Sequence, residues 1–476
     1  MTGALGELLR DALIHGGRIS DAATGKIVPA HDLLEQAHTV ATGLRQLGIA
    51  QNEPVHVRVG NRPGDLAALL GVWLATGVAV PIHVDAAPRT VEIVGSASGA
   101  RLMVDGTAVD VIAADPPPQR ELLQGAALII FTSGTTGQPK GVVISHEALA
   151  GKIVVLDGLL ALRPDDIVLL PLHLIFIFGI WAAILALRSG SRLQLVQKFS
   201  KQAVEDGLFG GATVLAAVPS MLRALLAGKS MTSATLRMVL TGGEALGASL
   251  GQQLHACWPV ASVYDLYGST ETGSCDFWHQ PTSENDGLIG NPTENVQFKI
   301  LDSAGSEVLV GEPGELAIRT SYGMAGYLDN PELTHTSFTA DFYRTGDLAC
   351  ARTDGSVSLV GRLKELVSQG GNKIAPQEID NLLCTHPGVA ASLSAGRPDD
   401  RLGETLHSVI VLCSSTTLTG DELRSWLSGR VERFKVPKTI RIVDELPTGP
   451  TGKASRAALK SLLVQELIDV EPHLTV

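Results

Sequence analysis

Phe131-Thr-Ser-Gly-Thr-Thr-Gly-Gln-Pro-Lys-Gly-Val-Val143 packs four hydroxyl side chains, two glycines and a lysine into the nine positions 132–140. Such a run reads as a loop built to hold a polyphosphate. Gly134 and Gly137 let backbone N–H groups turn inward, Thr132, Ser133, Thr135 and Thr136 add hydroxyl donors, and Lys140 adds a charge. The apolar run before it, Ala126-Ala-Leu-Ile-Ile-Phe131, reads as a buried strand, so the loop hangs from a rigid sheet edge. The commoner phosphate cradle needs Gly-x-x-x-x-Gly-Lys followed by Ser or Thr. Here Lys140 comes three residues after Gly137 and precedes Gly141, which argues against a P-loop kinase or GTPase.

Outward from that loop the chain alternates. Helix-like Leu33 to Leu47 leads to strand-like Val55 to Val59, then to a helix at Gly64 to Thr76 and a strand at Val78 to Ile82. Further strands read at Thr213 to Val218, Leu236 to Thr241 and Ala261 to Tyr264, each ending at a Gly, Pro or polar cluster. The pattern predicts an α/β fold with parallel sheets whose ligands collect at the strands' carboxyl ends. A chain of 476 residues exceeds one ordinary core, so two or three domains are expected. The clearest linker candidate is Gly361-Arg-Leu-Lys364, after strand-like Val357 to Val360.

A formal net charge of −12, with Lys and Arg scattered rather than blocked, argues against a nucleic-acid partner. Five cysteines without Cys-x-x-Cys spacing favour a reducing compartment and no structural zinc. No basic stretch followed by an apolar one opens the chain, so a cytoplasmic location is expected. Ile167 to Leu187 is apolar and about long enough to span a bilayer. Pro171, His173 and Gly179 break it, and predict a buried strand (Ile167 to Leu172), a bend and a buried helix (Gly179 to Leu187) with no membrane span.

The loop at 131–143 resembles the phosphate-binding signature of the adenylate-forming superfamily, which contains acyl-CoA synthetases, peptide-synthetase adenylation domains and luciferase. Further similar segments follow in order, so the resemblance covers nearly the whole chain. Asp265-Leu-Tyr-Gly-Ser-Thr-Glu271 is similar to the family's Tyr-Gly-x-Thr-Glu segment. The resemblance implies that Tyr267 stacks on adenine, that Thr270 meets the α-phosphate and that Glu271 helps hold Mg²⁺. Asp265 and Gly268 fall on the nucleotide side. Leu240-Thr-Gly-Gly-Glu244 puts Gly242, Gly243 and Glu244 at a strand end where backbone can lie against a flat ring. Tyr343-Arg-Thr-Gly-Asp347 and Gly361-Arg362-Leu-Lys364 supply, by the same resemblance, a ribose-binding aspartate, an assisting arginine and a hinge lysine. Lys453, in a Gly- and Pro-rich segment near the C-terminus, matches the catalytic lysine.

The resemblance implies a large N-terminal domain of parallel and mixed sheets flanked by helices, with a small β-rich part (1–361), a hinge (362–364) and a small mobile α+β C-terminal domain (365–476). It implies ATP and Mg²⁺ as cofactors and a small carboxylic acid as substrate. The acyl pocket is expected among His173, Phe176, Phe178, Gly179, Val218, Ser220, Thr241 and Cys275, with His173 or Phe176 as an aromatic gate. These segments are mainly apolar and carry no arginine for a second carboxylate and no aspartate placed for an α-amino group, which points to a neutral aromatic or medium-length acid, with Asp265 and Asp276 left open as pocket residues. The acceptor is expected to be CoA, passing near Gly370 and Gly371, with Arg397, Arg433, Lys435 and Lys438 as candidates for its 3′-phosphate. A carrier-protein thiol or an amine are the alternative acceptors, and the enzyme is expected to be a monomer or homodimer.

Overall fold

The structure, a computed structural model, describes residues 3–132, 139–226, 233–281, 287–413, 416–448 and 454–470. Among them the chain forms three sheets. The first runs Gly326–Tyr327, Lys140–Ser145, Ala126–Thr132, Val78–His83, Pro54–Val59, Leu102–Asp105, Ala108–Val111. Its middle is parallel and both ends are antiparallel.

The second sheet changes character halfway. Arg18–Asp21, Arg192–Leu195, Ile167–Leu170, Val214–Ala216, Met238–Gly242 and Ser262–Tyr267 pair in parallel. From Ser262–Tyr267 onward the sheet continues through antiparallel partners, including Phe277–His279, Leu288–Pro292, Val357–Arg362 and Phe342–Ala351. The third sheet lies in the C-terminal part. It is built on the long pair Val389–Asp399 and Gly403–Leu412 and is accompanied by helices Pro376–Cys384, Gly420–Ser428 and Arg456–Val470. The result is the mixed α/β architecture of a large N-terminal and a small C-terminal part.

The largest core joins the first two sheets through helices Gly3–Ile14, Ala30–Gln46, Pro63–Leu74, His146–Leu160 and Ile177–Arg188. Burial explains their composition. Ile177–Arg188 is apolar nearly all round because it packs inside the protein, with Gly179 to Leu187 buried. The apolar segment beginning at Ile167 thus resolves into a strand, a bend and this helix. No helix among the described residues is long and apolar enough to cross a membrane.

Several element ends differ from the sequence reading, and each difference bears on the site. The strand expected to stop at Tyr264 runs on to Tyr267, because Asp265, Leu266 and Tyr267 all pair with Phe277–His279. Gly242 lies inside its strand, where a Cβ would stand 2.2 Å from the Leu266 carbonyl oxygen. The strand expected to end at Val360 continues through Arg362, before a short 3₁₀ turn at Leu363–Glu365.

Candidate active site

Three strands of the second sheet bring the nucleotide-side residues together. Asp347 and Arg362 are cross-strand partners, and Arg362 Nε lies 2.8 Å from Asp347 Oδ1. Tyr267, at the end of the neighbouring parallel half, donates its hydroxyl to Asp347 Oδ2 at 2.5 Å. Burial, then the Asp347 charge, pushes the Tyr267 phenol well above its ordinary value, so it remains a donor. Arg362 is raised by the adjacent Asp347. Together they form an acceptor-rich carboxylate held by a guanidinium and a phenol.

A second array lies next to it. Thr132 and Lys140 face each other across an antiparallel pair, so the two ends of the hydroxyl-rich segment start from one ladder position. Lys140 Nζ stands 5.4 Å from the Tyr327 ring centroid. The Tyr327 hydroxyl donates to Glu271 Oε1 at 3.0 Å and lies 3.3 Å from the Tyr343 hydroxyl. Burial and then Glu271 push Tyr327 up to about 12. Tyr343 feels both Glu271 and Asp347, which ties the arrays together. Lys364 is lowered first by burial and then by Arg362, and Lys140 pushes the same way, so the expected hinge lysine sits within electrostatic reach of both arrays.

Among the described residues no group of His, Cys, Asp and Glu side chains could hold a metal by itself. Ser133, Gly134, Thr135, Thr136 and Lys453 lie outside the described residues.

On the acyl side, the His173 ring meets His83 edge to face at 4.5 Å. Burial, with His83 beside it, lowers His173 to about 4, leaving it neutral near pH 7. Phe178 stacks on Trp181 at 4.9 Å. Phe178 and Val218 pack against the core that contains Cys275, whose thiol burial pushes up to about 12. Thr241 is fully buried. Gly179 is needed for close approach, since a Cβ there would stand 2.4 Å from the His173 carbonyl oxygen. Ser220 donates its N–H and hydroxyl to Glu244 at 3.0 and 2.8 Å, which ties Glu244 to the first turn of helix Pro219–Leu226. Phe176 is 40% exposed at the start of helix Ile177–Arg188.

Burial raises the Asp265 carboxyl to about 7. Gly370 and Gly371 form the tip of a two-residue hairpin between Val367–Gln369 and Asn372–Ile374. Their φ values of 56° and 85° are those of the left-handed turn that such hairpins require. The tip is exposed, and its near neighbour is Leu402. Of the basic candidates for a CoA phosphate, Lys435 is paired with Glu378 and Glu432, and Lys438 with Asp399.

Sequence reasoning missed Tyr327, the buried Lys152, which donates to the Cys275 carbonyl oxygen and to Asp276, and Thr272, whose hydroxyl donates to Asp276. Gly326-Tyr327 offered a local signal, an aromatic beside a glycine before a turn-rich stretch. Lys152 offered none, because a lone lysine within a helical pattern reads as a solvated face.

The AMP-binding enzyme family profile matches residues 22–328 and that of the AMP-binding enzyme C-terminal domain matches 378–453, so this chain belongs to the AMP-binding enzymes. It is 33% identical over 350 residues to the sulfoacetate–CoA ligase of Cupriavidus necator, covering 72% of this chain and 68% of that one. It is 28% identical over 492 residues to 4-coumarate–CoA ligase 5 of Oryza sativa subsp. japonica, covering 93% and 91%. Its fold matches the crystal structure of ATP-bound MatB from Rhodopseudomonas palustris with a TM-score of 0.84 at 24% identity, over 96% of this chain and 98% of that one.

Proposed function

We propose that this chain condenses a carboxylic acid with ATP to an acyl-adenylate, releasing pyrophosphate, and then passes the acyl group to the thiol of CoA. The observation that carries this reading is the adjacency of the two arrays: Tyr267, Asp347 and Arg362 suit a nucleoside, and Lys140, Tyr327 and Glu271 suit its phosphates. Asp347, an acceptor-only carboxylate, meets the two ribose hydroxyls with Arg362 beside it. Tyr267 stacks on adenine, Thr270 contacts the α-phosphate, and Thr132 and Lys140 hold the polyphosphate. Glu271 would hold Mg²⁺, which would supply charge neutralisation for the phosphates.

The substrate carboxylate attacks the α-phosphorus, and pyrophosphate leaves. Two anions converge in that step, so a cation bridging them acts most strongly in the transition state, the role given to Lys453. The nucleophile has no proton to lose, so no general base is required. Residues 1–361 hold ATP and acid, and residues 365–476 turn about 362–364, with Lys364 as pivot. That rotation carries the Gly370-Gly371 hairpin toward the path of the CoA thiol.

The acid is neutral and flat or of medium length. The Phe178–Trp181 stack and the neutral His173 support this choice, as does the relative named for 4-coumarate. The relative named for sulfoacetate makes a doubly charged acid the main competitor. The test is pyrophosphate release with MgATP across aryl, fatty, sulfonated, dicarboxylic and amino acids, with and without CoA, followed by mass analysis. A CoA-dependent aryl or medium-chain thioester is expected. Acyl-adenylate accumulating alone would make a carrier protein or an amine the acceptor, and no pyrophosphate with any acid would overturn the reading.

A further inference from the structure

Helix His146–Leu160 carries a lysine with no exposure to solvent. Lys152 Nζ donates to the Cys275 carbonyl oxygen at 3.1 Å and to Asp276 Oδ1 at 3.2 Å, and Asp276 is equally buried. The ammonium also lies 5.2 Å from the Tyr322 ring centroid. Burial pushes the Asp276 carboxyl up, and Lys152 and Thr272 pull it back. Removing two charges from water costs more than a well-packed apolar pair would, so stability alone is a weak reason to keep them.

The other carboxylate oxygen of Asp276 leads directly to the phosphate side of the site. Asp276 Oδ2 accepts from the Thr272 hydroxyl. That same hydroxyl oxygen accepts from the Ser269 N–H at 3.2 Å, and the Thr272 N–H donates to Ser269 Oγ at 3.3 Å. The turn so closed has Thr270 and Glu271 as its two central residues. The chain between Thr272 and Asp276 runs through Gly273, Ser274 and Cys275 at φ of 84°, 67° and 51°. Ser274 and Cys275 are not glycines, and such backbone persists only where its surroundings over-determine it. Close packing enforces the approach from the other side, since a Cβ on Gly268 would stand 2.4 Å from the Cys275 nitrogen and 2.9 Å from Asp276 Oδ2.

We propose that Lys152 and Asp276 are positioning residues: acting through the Thr272 hydroxyl, the buried pair fixes the Ser269–Thr272 turn so that Thr270 and Glu271 are presented to the α-phosphate and its cation. This rests on the nucleotide-activating reading above, but not on the identity of the acid. Both side chains are fully buried, so the role is indirect.

Two neutral replacements separate positioning from packing. Lys152→Met with Asp276→Asn leaves an amide oxygen for Thr272, whereas Lys152→Met with Asp276→Leu does not, and neither leaves a lone buried charge. The measurements are thermal unfolding and calorimetric ATP affinity with Mg²⁺ and with chelator, neither of which needs an acid. Both variants are expected to unfold near the wild-type temperature. The Asn variant keeps the Mg²⁺-dependent gain in ATP affinity within about threefold, and the Leu variant loses about tenfold or more of it. Thr272→Val, which removes only the hydroxyl, is expected to repeat the Leu result, so the idea remains testable if a double variant fails to fold. It is overturned if the Leu or Val variant keeps the wild-type Mg²⁺ response, if Asn and Leu variants lose it equally, or if wild-type ATP affinity ignores Mg²⁺. A wild-type protein that binds MgATP in a Mg²⁺-dependent way but activates no acid would overturn the proposed function alone.

Discussion

Asp347 illustrates how much of this site depends on pairs of side chains. Its two oxygens are held by Arg362 and by the Tyr267 hydroxyl, so the carboxylate is oriented before any ligand arrives. Tyr267→Phe keeps the ring for stacking and removes only that orientation. A hydrogen bond to a charged group contributes about 1.5 kcal/mol or more, so denaturant stability is expected to fall by about that much, and calorimetric ATP affinity to fall as the carboxylate loses its orientation. An unchanged affinity would detach the phenol from nucleotide binding. Residues recognised by local motif, such as Tyr267, Asp347 and Arg362, were legible in the sequence. Their mutual contacts were not, because 80 residues of chain separate Tyr267 from Asp347.

Among the elements, the paired strands Met238–Gly242 and Ser262–Tyr267 carry the site's floor. Gly242 reads from sequence as a glycine that lets backbone approach a ring, yet its immediate constraint is the neighbouring strand. Gly242→Ala would push a methyl group against the Leu266 carbonyl, a backbone atom that cannot rotate away. A loss of about 3 kcal/mol in denaturant unfolding is expected. Gly158 provides the contrast: it lies exposed on helix His146–Leu160 and a Cβ there meets nothing within 4 Å, so Gly158→Ala is expected to leave stability unchanged or raise it by up to about 1 kcal/mol. Equal losses would show that strand spacing is not what Gly242 protects. Strand ends were misread where a partner strand, absent from the local pattern, extends the pairing, as Phe277–His279 does for Tyr267.

For the molecule as a whole, burial sets a pH response. His56, His146, His173 and His279 are each lowered by burial from 6.5 to about 4. In the unfolded chain these imidazoles take up protons as the pH falls below about 6.5, whereas the native state resists until about 4. The unfolded state therefore binds more protons, and stability is lost as pH falls through that window, by on the order of 1–2 kcal/mol per histidine at pH 5. Asp265, raised to about 7, works the other way, since the native state holds its proton where the unfolded chain has released it. Asp65 and Asp276, also raised by burial, act in the same sense as Asp265, so denaturant stability is expected to fall by a few kcal/mol from pH 7 to pH 5, less than the four histidines alone would give. Stability that is flat or rising over this range would contradict the burial of these histidines.

The sequence by itself determined the class of architecture and the motif residues of the candidate site. Apolar periodicity, glycine placement and hydroxyl clustering are local properties that persist whatever the rest of the chain does. The tertiary structure alone decided which of those residues meet: that Tyr327 joins Glu271 to Lys140, that Glu244 is tied to Ser220, and that the hydroxyl-rich segment starts and ends on one ladder position. It also decided that Lys152 is an interior cation, because a lysine's environment is set by what packs over its helix. Here that is the Cys275–Asp276 segment, more than 120 residues away in the chain.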